Sequence, residues 1–294
     1  MIDLSIIVVS FNTKDITLQT IQKAQNALKK GSLRWEIIVV DNNSHDGSPE
    51  AIKKIADGVQ VKALFNKENT GFGKPNNQRV AISTGRYVLY LNSDVYVPEV
   101  PLFDALIKQM DSHPKRGAMT ARVELQNGSI DPASHRGFPT VWRSFCYYAG
   151  LERLTANMPL LNRLFGGYHL TSRPLSTIHE IDAPTGAFFL VRRSILDTLG
   201  GFDEEFFMYG EDIDLSYRIK QLGYSIVYDP TYTVLHLKYQ SGIKNKNNSA
   251  IRTKTKGYFY DSMAIFYRKH YEQNYPAWVT RLVYATIDHK KNSA

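Results

Sequence analysis

The chain has 294 residues, 43% of them hydrophobic, 22% charged and 12% aromatic, with a net charge of +8. At roughly 100–200 residues per domain this is one large domain or two small ones, and the composition excludes a disordered or fibrous chain. The single cysteine, Cys146, excludes an internal disulfide and a multi-cysteine zinc site; no apolar run approaches the roughly 18 residues of a spanning helix, and the run at 4–11 has no basic leader, so a cytoplasmic protein that touches a membrane only from outside is expected.

Strands and helices alternate through the first third. The pattern predicts strands at 4–10, 36–41, 59–65 and 86–91, with helices at 15–30, 48–56 and 73–84 between them. The tetrapeptide IIVV occurs in both of the first two strands. Such continuous β-branched runs suit strands buried on both faces of a parallel sheet, and the short connections fit α/β units. Ligands of an open α/β sheet bind beyond the carboxyl ends of the strands, which directs attention to 10–13, 41–46 and 92–95.

The second half is less regular. A helix is expected at 102–111, a strand at 117–125, a turn at Asn127-Gly128, a helical insertion at 142–165, a strand at 187–191, a helix at 211–222 closed by Gly223, and short strands at 224–228 and 233–237. The insertion reads as packing, with covering the active site or lying on lipid as its other uses. The polar stretch 244–249 marks the boundary between a body and a tail. Residues 244–294 hold ten Lys/Arg and three acids, so the tail carries +7 of the +8 and the body is nearly neutral. Aromatics interleave with these bases, from Tyr258 to Trp278. That combination suits an anionic membrane surface, with packing of the aromatics on the body as the competing reading; nucleic acid is not the expected partner.

Two constellations carry chemistry. The first comprises VVSFNT (8–13), VVDNNSHDGS (39–48), NTGFGKPNN (69–77) and YLNSD (90–94). Asp41, directly after a buried strand, can accept the imide N–H of a uracil or thymine ring. Asn69–Asn77 lacks both GxxxxGK[ST] and the third glycine of a dinucleotide fingerprint, so its glycines are read as permitting close backbone approach to a nucleotide. In Asn92-Ser93-Asp94, Asp94 can supply a carboxylate to a hard divalent cation carrying a diphosphate, while neutral Asn92 suits a ribose hydroxyl. The second constellation comprises TGAFFLVRRS (185–194), GGFDEEFFMYGEDIDL (200–215) and LHLK (235–238). Leu215, Ile219 and Leu222 mark the core face of the helix at 211–222. Asp212 falls three residues before Leu215 on that sheltered side, as a general base requires. Asp214, four before Arg218, is read as an exposed ion pair. His236 ends a short strand and can complete a metal site with Asp94.

In this order the motifs resemble an inverting family-two glycosyltransferase of GT-A fold, closest to bacterial rhamnosyltransferase-like members. The resemblance covers about residues 4–241, and GGFDEEFFMYGEDIDLSYRIKQLGY is its most specific part. It implies an α/β, Rossmann-like open mixed sheet flanked by helices, with a C-terminal helical extension. The implied division is 1–243 as the glycosyltransferase domain, with a nucleotide-binding half to about 95 and an acceptor half to 243, followed by the extension at 244–294. By position, Ser10, Asn12, Asp41 and Asn43 would hold base and ribose. Asn69, Gly71, Phe72 and Asn77 would line the nucleotide site, with Asn92 and Ser93 beside it. Asp94 matches the last aspartate of the family's Asp-x-Asp motif, whose first aspartate is Asn92 here, and His236 matches a metal-proximal histidine. Asp212 matches the base of a Glu-Asp motif with Glu211 beside it, and Thr185-Gly186-Ala187 matches the segment next to sugar and acceptor. The resemblance also implies Mg²⁺ or Mn²⁺, a dTDP- or UDP-sugar donor with dTDP-rhamnose first, a lipid-linked or polysaccharide acceptor, and a place on the inner face of the plasma membrane.

Overall fold

A computed structural model describes residues 1–238 and 249–293. Its elements in chain order are β1 (Leu4–Ser10), α1 (Lys14–Leu28), β2 (Trp35–Asp41), α2 (Ser48–Ile55), β3 (Val61–Phe65), α3 (Gly73–Val80), β4 (Tyr87–Leu91), β5 (Val95–Tyr96), α4 (Leu102–Asp111), β6 (Arg116–Leu125), α5 (Val141–Tyr148), α6 (Leu151–Leu154), α7 (Pro159–Phe165), β7 (His179–Ile181), β8 (Phe188–Arg192), α8 (Arg193–Leu199), α9 (Glu211–Gln221), β9 (Ser225–His236), α10 (Ser249–His270) and α11 (Ala277–Asn292). The strands form one sheet in the order β3-β2-β1-β4-β8-β6-β9-β5, with β7 on β9.

The apolar runs explain the first half of that order. Every residue of β2 and β4 is buried, and all but one of β1, so these strands can only lie in the middle of a sheet covered on both faces. β1 pairs in parallel with β2 and β4, and β2 with β3. The chain builds outward from β1 to β3 and then crosses back to place β4 on the other side of β1. The topological switch therefore lies between β1 and β4, where open sheets bind ligands. Beyond it the sheet is mixed: β8 runs antiparallel to β4 and β6, while β6 and β9 are parallel.

Three expectations are corrected. Residues 224–228 and 233–237 are not two strands but one, β9, continuous through Asp229-Pro230. Its register against β6 jumps between Ala121 and Arg122, where 230–232 bulge out and Pro230 escapes the need to donate to the ladder. The insertion at 142–165 is helical, as three short helices broken at Gly150 and before Pro159, but it is not the packing element expected: Leu154, Leu160, Leu161 and Leu164 are exposed. Asp214 is not exposed: it is almost fully buried, bonded to Arg218 at 2.7 Å and to His270 Nε2 of α10 at 2.7 Å.

That last contact explains how the tail is held. The predicted boundary at 244–249 lies, as far as 248, outside the described residues. Beyond it, α10 packs along α9, and Phe266, Tyr267 and Tyr271 are buried with Phe206 in a small aromatic core edged by Tyr217. These tail aromatics face the body, so they are not available to settle at a lipid surface. Lys269 binds Asp203 at 2.5 Å and Glu205 at 2.8 Å, and Arg268 also pairs with Glu205, which fastens α10 to the loop that leads into α9. Part of the tail's charge is thus spent on the body's own acids.

Removing one partner from a buried ion pair commonly costs about 3–5 kcal/mol. Arg218 also donates to the carbonyls of Leu199 and Gly201, which soften the loss. Asp214→Ala is expected to lower unfolding stability in urea by about 3 kcal/mol, the low end of that range; a loss under about 0.5 kcal/mol, the level of ordinary surface changes, would contradict the latch between α9 and α10.

Candidate active site

The crevice begins at the carboxyl ends of β1 and β2. Asp41 Oδ2 accepts the Ser44 N–H at 2.9 Å, while Oδ1 is buried and has no partner among the described residues. An orphaned acceptor of this kind is costly unless a donor arrives. Asn12 and Asn43 both hold left-handed backbone, at φ 52° and 69°. Asn12 is fixed there by bonds from its N–H to Ser44 Oγ and from the His45 N–H to its Oδ1, both 2.8 Å. The loop after β3 is tied in by Asn42, whose amide donates to Asn69 Oδ1 at 3.0 Å and to the Gly71 carbonyl at 2.8 Å. Gly71 sits at φ 86°, and a Cβ there would lie 2.1 Å from the Phe207 carbonyl oxygen, so only glycine fits. The same carbonyl accepts the Phe72 N–H at 2.9 Å, which joins the nucleotide-side loop to the 200–210 loop.

Across the switch lies Asn92-Ser93-Asp94. Asn92 Oδ1 is a second buried acceptor without a partner among the described residues. Ser93 Oγ meets Thr13 Oγ1 at 3.3 Å, bridging the ends of β1 and β4. The two-residue strand β5 pairs antiparallel with the end of β9, placing Val95 opposite His236. Asp94 Oδ1 consequently lies 3.3 Å from His236 Nε2, and His236 Nδ1 lies 2.8 Å from Asp131 Oδ2. Asp131 is fully buried and also takes Lys238 Nζ at 2.6 Å. Burial works against ionisation of Asp131, but the bonds from His236 and Lys238 hold it well below the usual carboxylate range. Burial likewise lowers His236, yet its bonds to Asp131 and Asp94 prevail and push it up to about 9 in the metal-free protein.

Asp94 and His236 suit a divalent cation. With Nδ1 donating to Asp131, Nε2 can present its lone pair on the Asp94 side, the carboxylate–histidine arrangement that orients metal ligands. Asp94 Oδ1 and His236 Nε2, 3.3 Å apart, are close enough to serve one cation together. Among the described residues no cluster of three or more His, Cys, Asp or Glu could hold a metal by itself. The protein would offer two ligands, and donor phosphates and water would supply the rest.

Helix α9 brings the third element. Its first turn follows Tyr209 and Gly210, both left-handed, at φ 70° and 80°. Asp212 is buried as its spacing from Leu215 requires. Its Oδ2 accepts Arg136 Nη2 at 2.8 Å and the Gly186 N–H at 3.0 Å; Oδ1 accepts the Ile213 N–H at 2.8 Å. Arg136 is buried too and donates to the Pro184 carbonyl at 2.7 Å. Burial would lower its pKa, but Asp212 raises it above the ordinary arginine value. Glu211 has Oε2 buried without a partner among the described residues, and burial, aided by the charge of Asp212, pushes its pKa up to about 8. Burial thus favours its protonated form, while its neighbour Asp212 is bonded to an arginine.

The segment 185–187 connects the two ends. Thr185 Oγ1 accepts the Ala187 N–H at 3.2 Å, the Ala187 carbonyl accepts the Asn92 N–H at 3.0 Å, and Gly186 bonds Asp212. A Cβ on Gly186 would lie 3.3 Å from the Phe72 ring and 3.6 Å from Asp212 Cβ. Contacts therefore link the segments that carry Asp41, Asn69, Gly71 and Phe72, Asn92 to Asp94, His236, Thr185 to Ala187 and Asp212 at the carboxyl ends of the parallel strands. Two expected ligands are turned elsewhere. Ser10 is wholly buried and bonds Thr17 at 2.9 Å, anchoring the start of α1. Asn77 spends its amide on Phe202 N–H and carbonyl, both 2.8 Å, clamping the 200–204 loop. Asn42, Asp131, Arg136 and Lys238 were missed, since each acts through partners far away in the chain.

A sheet whose parallel half ends in polar loops, and whose mixed half returns a histidine and a carboxylate to the same crevice, is the GT-A architecture of sugar transferases. The chain belongs to glycosyl transferase family 2, whose family model matches residues 5–200. It is 29% identical over 221 residues to N-acetylglucosaminyl-diphospho-decaprenol L-rhamnosyltransferase of Mycobacterium tuberculosis, covering 70% of this chain and 67% of that one. It is 28% identical over 243 residues to rhamnosyltransferase WbbL of Escherichia coli K12, covering 79% and 82%. Among solved structures it resembles the mannosyltransferase PcManGT of Pyrobaculum calidifontis in complex with GDP-Man and Mn²⁺. That match has a TM-score of 0.57 and 18% identity and covers 91% of this chain but 66%, just under two thirds, of the solved chain.

Because the folded pKa of Glu211 stands above its value of 4.5 in the unfolded chain, the unfolded state releases the proton first as pH rises. Between about 4.5 and about 8 this residue makes stability fall with increasing pH. Glu211→Gln is expected to flatten that slope, so that the variant gains melting temperature relative to the parent on going from pH 5 to pH 8; parallel melting curves across the window would contradict the buried neutral acid.

Proposed function

We propose that this glycosyltransferase moves L-rhamnose from dTDP-rhamnose to a hydroxyl of a lipid-linked or polysaccharide acceptor, with inversion, in the synthesis of cell-surface polysaccharide. The observation that carries the reading is the junction at Gly186. One backbone position there leaves no more than a Cβ's room beside the nucleotide-side Phe72 and bonds the carboxylate of Asp212. A sugar projecting from a nucleotide bound along 41–43 and 92–94 would reach that junction with its anomeric carbon beside Asp212. The rhamnosyltransferase names of the two relatives favour rhamnose, and the decaprenol-linked acceptor of one favours a lipid-linked substrate at the inner face of the plasma membrane.

In this reading Asp41 Oδ1 accepts the imide N–H of the thymine ring and Asn92 Oδ1 accepts a hydroxyl, each satisfying a buried acceptor. Asp94 and His236 would hold Mg²⁺ or Mn²⁺, which supplies neutralisation of charge on the departing diphosphate. Asp131 keeps the His236 ring turned toward the diphosphate position. Asp212 Oδ1, which accepts only the Ile213 N–H of its own helix, takes the proton of the acceptor hydroxyl as that oxygen attacks. The nucleoside diphosphate leaves from the opposite face of the sugar. Arg136 and the Gly186 N–H fix the other oxygen, Oδ2, so that the base cannot rotate away.

Loss of a general base typically removes roughly 10²–10⁴ in rate. Asp212→Asn keeps an oxygen for Arg136 and the Gly186 N–H and is expected to fold at reduced stability, to retain dTDP binding, and to lose transfer at least ~10²-fold in a radiolabelled-sugar assay; transfer near the parent's would remove Asp212 from the chemistry. For the metal, titration calorimetry of dTDP is expected to show Mn²⁺-strengthened binding in the parent that Asp94→Ala loses. Equal affinity with and without Mn²⁺ in both proteins would refute the assignment of Asp94.

A further inference from the structure

The helical insertion α5–α7 is built inside out. In α7 the inward residue is Asn162, 1% exposed, whose amide takes the Thr171 hydroxyl at 2.8 Å. The outward residues of that helix are Leu160, Leu161 and Leu164, with Leu160 81% exposed. In α6 the inward residue is Glu152, which is buried and bonds His169 Nδ1 at 2.6 Å, while Leu154 is 71% exposed. Trp142 and Phe145 of α5 are exposed as well. A helix that shelters its polar groups and presents leucines outward is made for a partner other than water.

The charge on this face points to the partner. Glu152 is the sole acid between residues 141 and 178, and it is buried. The outward charges of the insertion, Arg153 and Arg163, are both positive. Lys290 of α11 adds a third, its ammonium 4.5 Å from the Tyr148 ring centroid. Exposed leucine, tryptophan and phenylalanine with arginine and lysine at the rim match the headgroup region of an anionic bilayer. The face also adjoins the crevice. Tyr147 of α5 packs on Tyr168 with ring centroids 5.3 Å apart, and the Tyr168 carbonyl accepts the N–H of Gly137, next to Arg136.

We propose that the outer face of α5–α7, and not the buried aromatics of α10, seats the protein on an anionic bilayer and so brings the crevice to its acceptor. The link to the acceptor rests on the reading of the activity above; the seat itself does not. The helices are short and lie in the interface, and among the described residues no helix is long and apolar enough to cross a membrane.

The test is co-sedimentation of the full chain with vesicles of phosphatidylglycerol and phosphatidylcholine, against vesicles of phosphatidylcholine alone, without nucleotide. The double variant L160D/L164D changes two outward side chains, and R153E/R163E reverses the rim charge. The parent is expected to bind the anionic vesicles and to release from them at high salt. Each variant should bind at least tenfold more weakly, with its melting temperature and dTDP affinity kept. Undiminished binding by L160D/L164D would overturn the proposal, as would a parent that binds neither vesicle. A parent that self-associates through this face, shown by dimerisation in sedimentation velocity that L160D/L164D abolishes, with no vesicle binding, would replace the bilayer by a second copy of the chain. Vesicle binding without any sugar transfer would instead leave the seat standing and refute the activity reading alone.

Discussion

The buried pair between Arg136 and Asp212 is the contact on which the arrangement of the crevice depends. It ties the first turn of α9 to the segment around Arg136 and the 184–186 loop before β8, two segments already joined by a β-bridge between Arg136 and Ala183. Taking both charges out of water is expensive, and a pair of well-packed apolar residues would commonly be as stable. A carboxylate sheltered in this way is retained because the crevice has use for it. The guanidinium and the Gly186 N–H hold one carboxylate oxygen and leave the other turned to its own helix end, where the dipole favours charge. Glu211, one residue earlier, has no such hydrogen-bonded partner, and burial raises its pKa. Of the two adjacent acids only Asp212 is bonded to an arginine.

The sheet supplies the second requirement, which is distance. β1 and β4 set the switch crevice, and β9 is long enough to return from the far side of β6 and pair with β5 at the same end. That pairing, only two residues long, is what places His236 against Asp94. The rigidity of the central strands is carried outward by side-chain clamps: Asn42 on the loop after β3, Asn77 on the loop before α9, and Asp131 on His236. Left-handed backbone at Asn12, Asn43 and Tyr209 borders the crevice on both sides. Strain of this sort persists where the surroundings over-determine it and clusters at functional sites. The tail completes the scaffold, because α10 grips both α9 and the loop that carries Phe206 and Phe207.

Much of this was legible in the sequence, and the physical reasons divide cleanly. β1 and α4 match their expected limits because a buried strand or an amphipathic helix is written in adjacent residues. Asp212 could be assigned to the sheltered side of its helix from Leu215 alone, since both lie on one element. Asp214 could not, because the group that buries it, His270, comes from a helix 56 residues later. Arg136 and Asp131 had no motif to reveal them; their partners lie 76 and 105 residues away. The tail's aromatics and charges were visible, but not that Phe206 and Tyr217 would receive the first and Asp203 and Glu205 the second. Pro230 concealed the continuity of β9, as a bulge has no period to detect. In the insertion, counting apolar residues suggested a packing stripe, whereas the structure turns polar Asn162 and Glu152 inward and the leucines out.

In the proposed reaction one sheltered carboxylate drives a single displacement across the Gly186 junction. Stereochemistry tests this most directly. The purified protein would be incubated with dTDP-rhamnose, Mn²⁺ and a lipid-linked N-acetylglucosamine acceptor, and the anomeric configuration of the new linkage read by NMR from its one-bond carbon–proton coupling. A linkage of configuration opposite to that of the donor is the predicted result. A product that keeps the donor's configuration would mean two displacements or front-face attack, and the role given to Asp212 would fall with it.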